Sequence, residues 1–167
     1  MTATEAGRSD PLTRARNYWR GEHLGIDEDR FIAMTALMRV HRMMQVAIEQ
    51  EFKALDMRLS DYMLLATLEL SENGTRPVSR IASALLVHPT TATLATDRLA
   101  ARGLLIRGPH PDDRRITLVT ITAAGRALLE RASAVLSAVE YGMAGTTDAE
   151  RADLVNALDR IREAAGD

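Results

Sequence analysis

Two breaks, at His88-Pro89 and at Gly103, leave two short amphipathic helices in tandem at the centre of this chain. The first begins Pro77-Val78-Ser79-Arg80 and puts Ile81, Ala82, Leu85 and Leu86 on one face at helical spacing. Pro77 suits a first helical position, where an amide hydrogen has no intrahelical partner. The residue before a proline is pushed out of the α region, so His88-Pro89 ends this helix and Pro89 can open the next. The second helix has a polar start (Thr90, Thr91, Thr93), an apolar side (Ala92, Ala95, Leu99) and Gly103 as its C-terminal stop. Two short helices across a tight turn make a helix-turn-helix, whose second helix enters a DNA major groove by its N-terminal residues.

A strand over residues 104–107 is expected next. Gly108-Pro109-His110-Pro111-Asp112-Asp113 is read as unable to continue it. Residues 116–121 (Ile-Thr-Leu-Val-Thr-Ile) form a β-branched run suited to a returning strand. A hairpin directly after a recognition helix is a wing, and its tip carries Arg114 and Arg115. Guanidinium groups there can enter a narrow, electronegative minor groove. Asp113 would be repelled by phosphate; its expected work is to orient the arginine two positions on.

These residues carry a family resemblance. Pro111-Asp112-Asp113-Arg114-Arg115, then Leu118-Val119 and Thr120-Ile121-Thr122-Ala123-Ala124-Gly125, resembles the wing and following helix start of MarR-family transcriptional regulators. Asp97-Arg98-Leu99-Ala100-Ala101-Arg102-Gly103-Leu104 resembles the end of that family's recognition helix. The resemblance covers residues 29–164. It implies a homodimer of winged helix-turn-helix domains, a palindromic double-stranded DNA site, and release of DNA by a small aromatic or anionic effector.

Composition sets the outer limits. Hydrophobic residues make up 46% of the 167, enough for a core. No apolar run approaches the length of a membrane span, and Met1-Thr2-Ala3-Thr4-Glu5 has no secretory pattern, so a cytoplasmic protein without membrane contact is expected. With no cysteine, disulfides and thiol chemistry are excluded. The net charge of −2 is unevenly spread. Residues 88–126 hold six arginines against three acids, and residues 127–167 four against eight. DNA binding needs a local positive patch rather than a basic protein. The competing reading is that these arginines are ordinary solvated surface.

Taken in order, residues 1–28 form an extension, partly disordered, with a short helix carrying Trp19. That helix packs on a dimer partner, borders a ligand pocket, or uses Trp19 as a hydrophobic anchor. Residues 29–55 lack proline and glycine. Phe31, Met34, Leu37 or Met38, His41, Met44 or Gln45, Ile48 and Phe52 recur every three or four positions, giving one long amphipathic helix. Its methionines are either plain core or the wall of an adaptable pocket. His41 is either a pocket group or a structural histidine. Ser60 is read as the N-cap of a helix with Met63, Leu64, Ala66, Thr67 and Leu68 inside. Thr122 caps a helix using Leu128, Leu129, Ala132, Val135, Leu136 and Val139. Thr147 and Glu150 fit a capping box before a last helix built on Leu154, Val155, Leu158 and Ile161. Long terminal helices cannot bury their apolar faces on so small a winged domain, which points to a dimer.

The expected architecture is therefore mainly α: a winged helix-turn-helix lobe at 60–121 with a small β-hairpin wing. Dimerisation helices at 12–55 and 122–164 flank it. Thr90, Thr91, Thr93 and Leu94 are expected to face bases. His88 either caps the recognition helix or touches phosphate, and Arg98 and Arg107 serve phosphates or fold contacts. Arg115 is expected in the minor groove, held by Asp113, with Arg114 beside it on the backbone. An effector pocket is placed near Trp19, Met38, His41 and Met63. Many family members carry a basic or amide side chain where this chain has Leu94, which can instead meet a thymine methyl group. An extra N-terminal helix with a tryptophan resembles the urate-responsive branch, but Met63 and Ala95 stand where its ligand-binding acid and arginine are expected, so urate is not predicted. No catalytic constellation, cofactor fingerprint or metal-ligand spacing occurs. The alternative function is a winged-helix protein-interaction module that does not bind DNA.

Overall fold

The computed structural model describes residues 10, 11, 13 and 27–166. The expected helix around Trp19 lies outside the described residues. The chain divides into two compact units, Met1–Val46 and Ala47–Asp167.

Helix α1 spans Glu28–Phe52. Asp27 caps it, one carboxylate oxygen accepting the Arg30 N–H at 3.1 Å, and Glu28 and Asp29 add favourable charge at its positive end. In the first unit, the expected stripe of Met34, Leu37, Met38 and His41 is exposed on the single chain, and Ile32 is the position that is buried. The plain-core reading of Met34, Met38 and Met43 is therefore corrected: all three lie more than half exposed.

The second unit holds the winged lobe. Ile48 and Phe52 from the end of α1 enter its core. A 3-10 turn, Lys53–Leu55, leads through left-handed Asp56 to helix α2 at Leu59–Glu69. Arg58, not Ser60, is the N-cap residue. The reason is Asp61, whose buried carboxylate accepts the Arg58 N–H at 3.1 Å and so satisfies the helix start from inside. The buried stripe of α2 is Asp61, Leu64, Leu65 and Leu68, while Met63 is exposed. Periodicity permitted either assignment; the burial of Asp61 rotates the helix.

Strand β1, Thr75–Pro77, was not expected. It pairs antiparallel with β3, Thr117–Ile121, and β3 pairs with β2, Leu105–Pro109, giving the order β1-β3-β2. Pro77 thus ends a strand and caps helix α3, Val78–Ala84, rather than opening a helix. Gly108 and Pro109 continue β2 opposite Leu118 and Thr117. Because β2 is an edge strand, a proline without an N–H is tolerated there. Helix α4 follows the turn at Pro89–Ala101, and Gly103 beyond it has φ +70°, the left-handed stop that glycine adopts without penalty.

Helix α5, Ala123–Ala138, is capped by Thr122, whose hydroxyl accepts the Gly125 N–H at 3.0 Å. It packs against α2, and Leu128, Leu129, Ala132 and Leu136 join the buried cluster that also holds Val119 and Ile121 of β3. After a turn at Glu140–Gly142 comes helix α6, Asp148–Ala165. The expected capping box is present: the Thr147 N–H donates to Glu150 Oε2 at 2.8 Å and the Glu150 N–H to Thr147 Oγ1 at 3.2 Å. No residue of α6 is buried; Leu154, Val155 and Ile161 are exposed.

Candidate nucleic-acid interface

Helices α3 and α4 pack directly on each other, and α4 on the wing strand β2. Helix α4 sits on its apolar side: Ala92, Ala95, Thr96 and Leu99 are buried. The opposite side carries Thr90, Thr91 and Leu94, with Leu94 62% exposed. Thr93 is half-buried, and its hydroxyl donates back to the Pro89 carbonyl at 3.0 Å. His88 caps the helix, its Nδ1 accepting the Thr90 N–H at 3.3 Å. Thus the N-terminal turn of α4 presents two hydroxyls and one apolar side chain on a fixed backbone.

Three consecutive ties hold the other end of α4. Asp97 pairs with Arg107 on β2, so the wing strand and the helix are linked by charge. Arg98 pairs with buried Asp61 at the start of α2. Arg102 donates to the Asp56 carbonyl oxygen at 2.6 Å, where the chain passes from α1 to α2. Arg98 and Arg107, expected to serve phosphates or fold contacts, each make a fold contact in the chain alone.

At the wing tip, Asp113 Oδ1 accepts the Arg115 N–H at 3.0 Å and its Nε–H at 3.2 Å. The Asp113 carbonyl accepts the Ile116 N–H at 2.9 Å and closes the turn. The Arg115 backbone N–H, then its side chain, hold the Asp113 carboxyl below its ordinary pKa, with a smaller contribution from His110. The carboxylate therefore occupies one edge of the guanidinium and leaves the rest of Arg115, 91% exposed, facing outward. Arg114 is exposed as well.

The arginine excess counted along residues 88–126 is largely neutralised in three dimensions. Arg98, Arg102, Arg107, Arg115 and Arg126 meet Asp61, Asp56, Asp97, Asp113 and Glu69. Three of those acids lie before residue 88, so a sequence window could not count them. Arg114 is the arginine of the six without an acidic partner among the described residues. Arg80, exposed on α3, is a cation that sequence reading passed over. Its signal was a basic residue in the first turn of the first helix of the motif.

Met38 and His41 are exposed one helical turn apart on α1, and Met63 is exposed on α2. The first two belong to one unit and Met63 to the other. Trp19 lies outside the described residues.

A capped recognition helix, a tight turn and an arginine-tipped hairpin define a winged helix-turn-helix protein. The MarR family model matches residues 59–117, the span from α2 into β3. The crystal structure of Sco5413, a MarR family transcriptional regulator from Streptomyces coelicolor, superposes with a TM-score of 0.77 at 32% identity, covering 83% of this chain and 96% of that one. The HTH-type transcriptional repressor IacR of Pseudomonas putida is 30% identical over 128 residues, 76% of this chain and 73% of IacR. A structure of Bordetella bronchiseptica BpsR, described as regulated in DNA binding by 6-hydroxynicotinic acid, matches with a TM-score of 0.68 at 26% identity, covering 76% of this chain and 90% of that one. The chain belongs to the MarR family and is a DNA-binding transcriptional regulator.

Proposed function

We propose that this regulator is a cytoplasmic homodimer that represses from a palindromic operator and is released by a small aromatic or anionic effector. The carrying observation is exposure: Thr90, Thr91 and Leu94 on α4, and Arg114 and Arg115 on the wing that follows it, are all open to solvent within the second unit. Thr90, Thr91 and Thr93 supply hydroxyls or methyl groups to base edges, and Leu94 packs on a thymine methyl. Arg115, aligned by Asp113, enters the minor groove, and Arg114 and Arg80 meet phosphates. His88, Arg98 and Arg107 act on DNA indirectly, by fixing the helix and wing.

Support for the dimer comes from the terminal helices. All of α6 is left without a buried residue, and α1 exposes Met34, Leu37 and Met38. Exposed apolar faces of this kind stay dry when a second copy covers them, which supports the expected division into dimerisation regions at 12–55 and 122–164 and a DNA-binding lobe at 60–121. The repressor sign follows IacR, and effector release follows BpsR. Trp19, Met38, His41 and Met63 are the positions proposed to border the effector.

Footprinting on the DNA upstream of the chain's own gene tests this reading. Two protected half-sites related by a dyad, with centres about one helical turn apart, are expected. A single unsymmetrical footprint contradicts the palindrome, and constant protection across a panel of aromatic acids contradicts release by that class.

A further inference from the structure

Within the second unit, where the C-terminal turn of α4 meets the junction before α2, there is a cleft of about 300 Å³. Among the described residues its wall carries Lys53, Arg58, Arg98 and Arg102 against Asp56 and Asp61, a net charge of +2. The carboxylates do not answer that excess. Asp61 is committed through one oxygen to Arg98 and through the other to the Arg58 backbone N–H. Asp56 faces Arg102 at 3.6 Å. The Lys53 ammonium and the Arg58 guanidinium have no side-chain partner among the described residues. The Arg98 Nε is buried with no hydrogen-bond acceptor among the described residues.

We propose that this cleft binds a small anion bearing two or more negatively charged oxygens, as carboxylate or phosphate. Guanidinium forks match both groups, and charge-assisted hydrogen bonds to them are the strong ones. The Arg98 side chain, 35% exposed, has further guanidinium N–H groups to offer an anion oxygen. The volume is at the low end for ligand sites and suits an anion of citrate or pyrophosphate size. Met63, the position in the same unit proposed above to border the effector, is not among its described lining residues. An anion oxygen that meets Arg98 competes with Asp61 for its guanidinium, and so acts on the tie that sets α4 against α2.

Calorimetric titration of the full chain with citrate and with pyrophosphate, each at ionic strength matched by sodium chloride, tests the site without reference to DNA. Saturable one-site binding is expected, with a rise in the thermal midpoint at saturating ligand. The tighter of the two anions identifies carboxylate or phosphate as the preferred chemistry. A Lys53→Ala/Arg58→Ala variant, changed only at exposed positions, should fold normally and bind about tenfold or more weakly through loss of two charged donors. No saturable binding of either anion overturns the proposal, as does unchanged affinity in the folded double variant.

Discussion

Asp61 and Arg98 form an ion pair that joins the first turn of α2 to the last turn of α4, with the Asp61 side chain 2% exposed and the Arg98 side chain 35%. The same carboxylate caps α2 through the Arg58 N–H. One buried acid thus starts one helix and positions another. Removing a partner of a buried pair costs about 3–5 kcal/mol, reduced here to about 2–4 kcal/mol because Arg98 is part-exposed. Asp61→Ala should lose that much in urea unfolding. Arg98→Ala should be as destabilising, since it strands a buried carboxylate. Normal stability with lost DNA affinity in Arg98→Ala would instead assign Arg98 to phosphate.

Gly125 lies where α5 begins against the sheet. A Cβ there runs into the Leu104 carbonyl oxygen and the Ile121 side chain. Backbone oxygen cannot swing aside as a side-chain tip can, so Gly125→Ala should cost about 1–3 kcal/mol. The check is the denaturation midpoint; a neutral result would mean that α5 slides freely on the sheet.

Leu86, in the turn between α3 and α4, is exposed with φ +51°. A left-handed leucine costs about 1–2 kcal/mol, partly offset in glycine by greater freedom of the unfolded chain. Leu86→Gly should therefore raise stability by about 0.5–1 kcal/mol. A lowered thermal midpoint would show that this leucine makes a stabilising contact.

The wing tip has a defined pH response. The Arg115 backbone N–H, followed by the Arg115 side chain, lowers the Asp113 pKa. A lowered folded value means that the stabilising contact is complete above the ordinary carboxylate pKa of about 4 and is lost as pH falls through the lowered one. Carboxyl NMR of Asp113 should show a midpoint below the ordinary value. In Arg115→Ala it should move only partway back, because the backbone N–H remains. An ordinary midpoint in the unaltered chain would contradict the arrangement.

How much of this was legible in the sequence varies with the range of the cause. Caps were readable where the partner lies within a few positions, as at Thr122 and at Thr147 with Glu150. So was the Asp113–Arg115 contact. The N-cap of α2 was misplaced on Ser60, because Asp61 is buried by Arg98, thirty-seven positions away. Strand β1 was invisible because three residues carry no period; its only signal is the pairing of Thr75 to Pro77 with β3. The arginine excess was visible, but its neutralisation by Asp56, Asp61 and Glu69 was not. The exposed stripe of α1 had the spacing of a buried face, and spacing does not say which chain supplies the cover.

The central claim is that α4 and the wing read DNA together. Fluorescence anisotropy of the purified chain on its own upstream DNA and on scrambled DNA, across a salt series, tests it most directly. The account predicts tight, sequence-dependent binding with a steep salt slope, and a loss of about 1–3 kcal/mol in Arg115→Ala. Binding that ignores sequence, or that is unchanged in Arg115→Ala at every salt concentration, would contradict it.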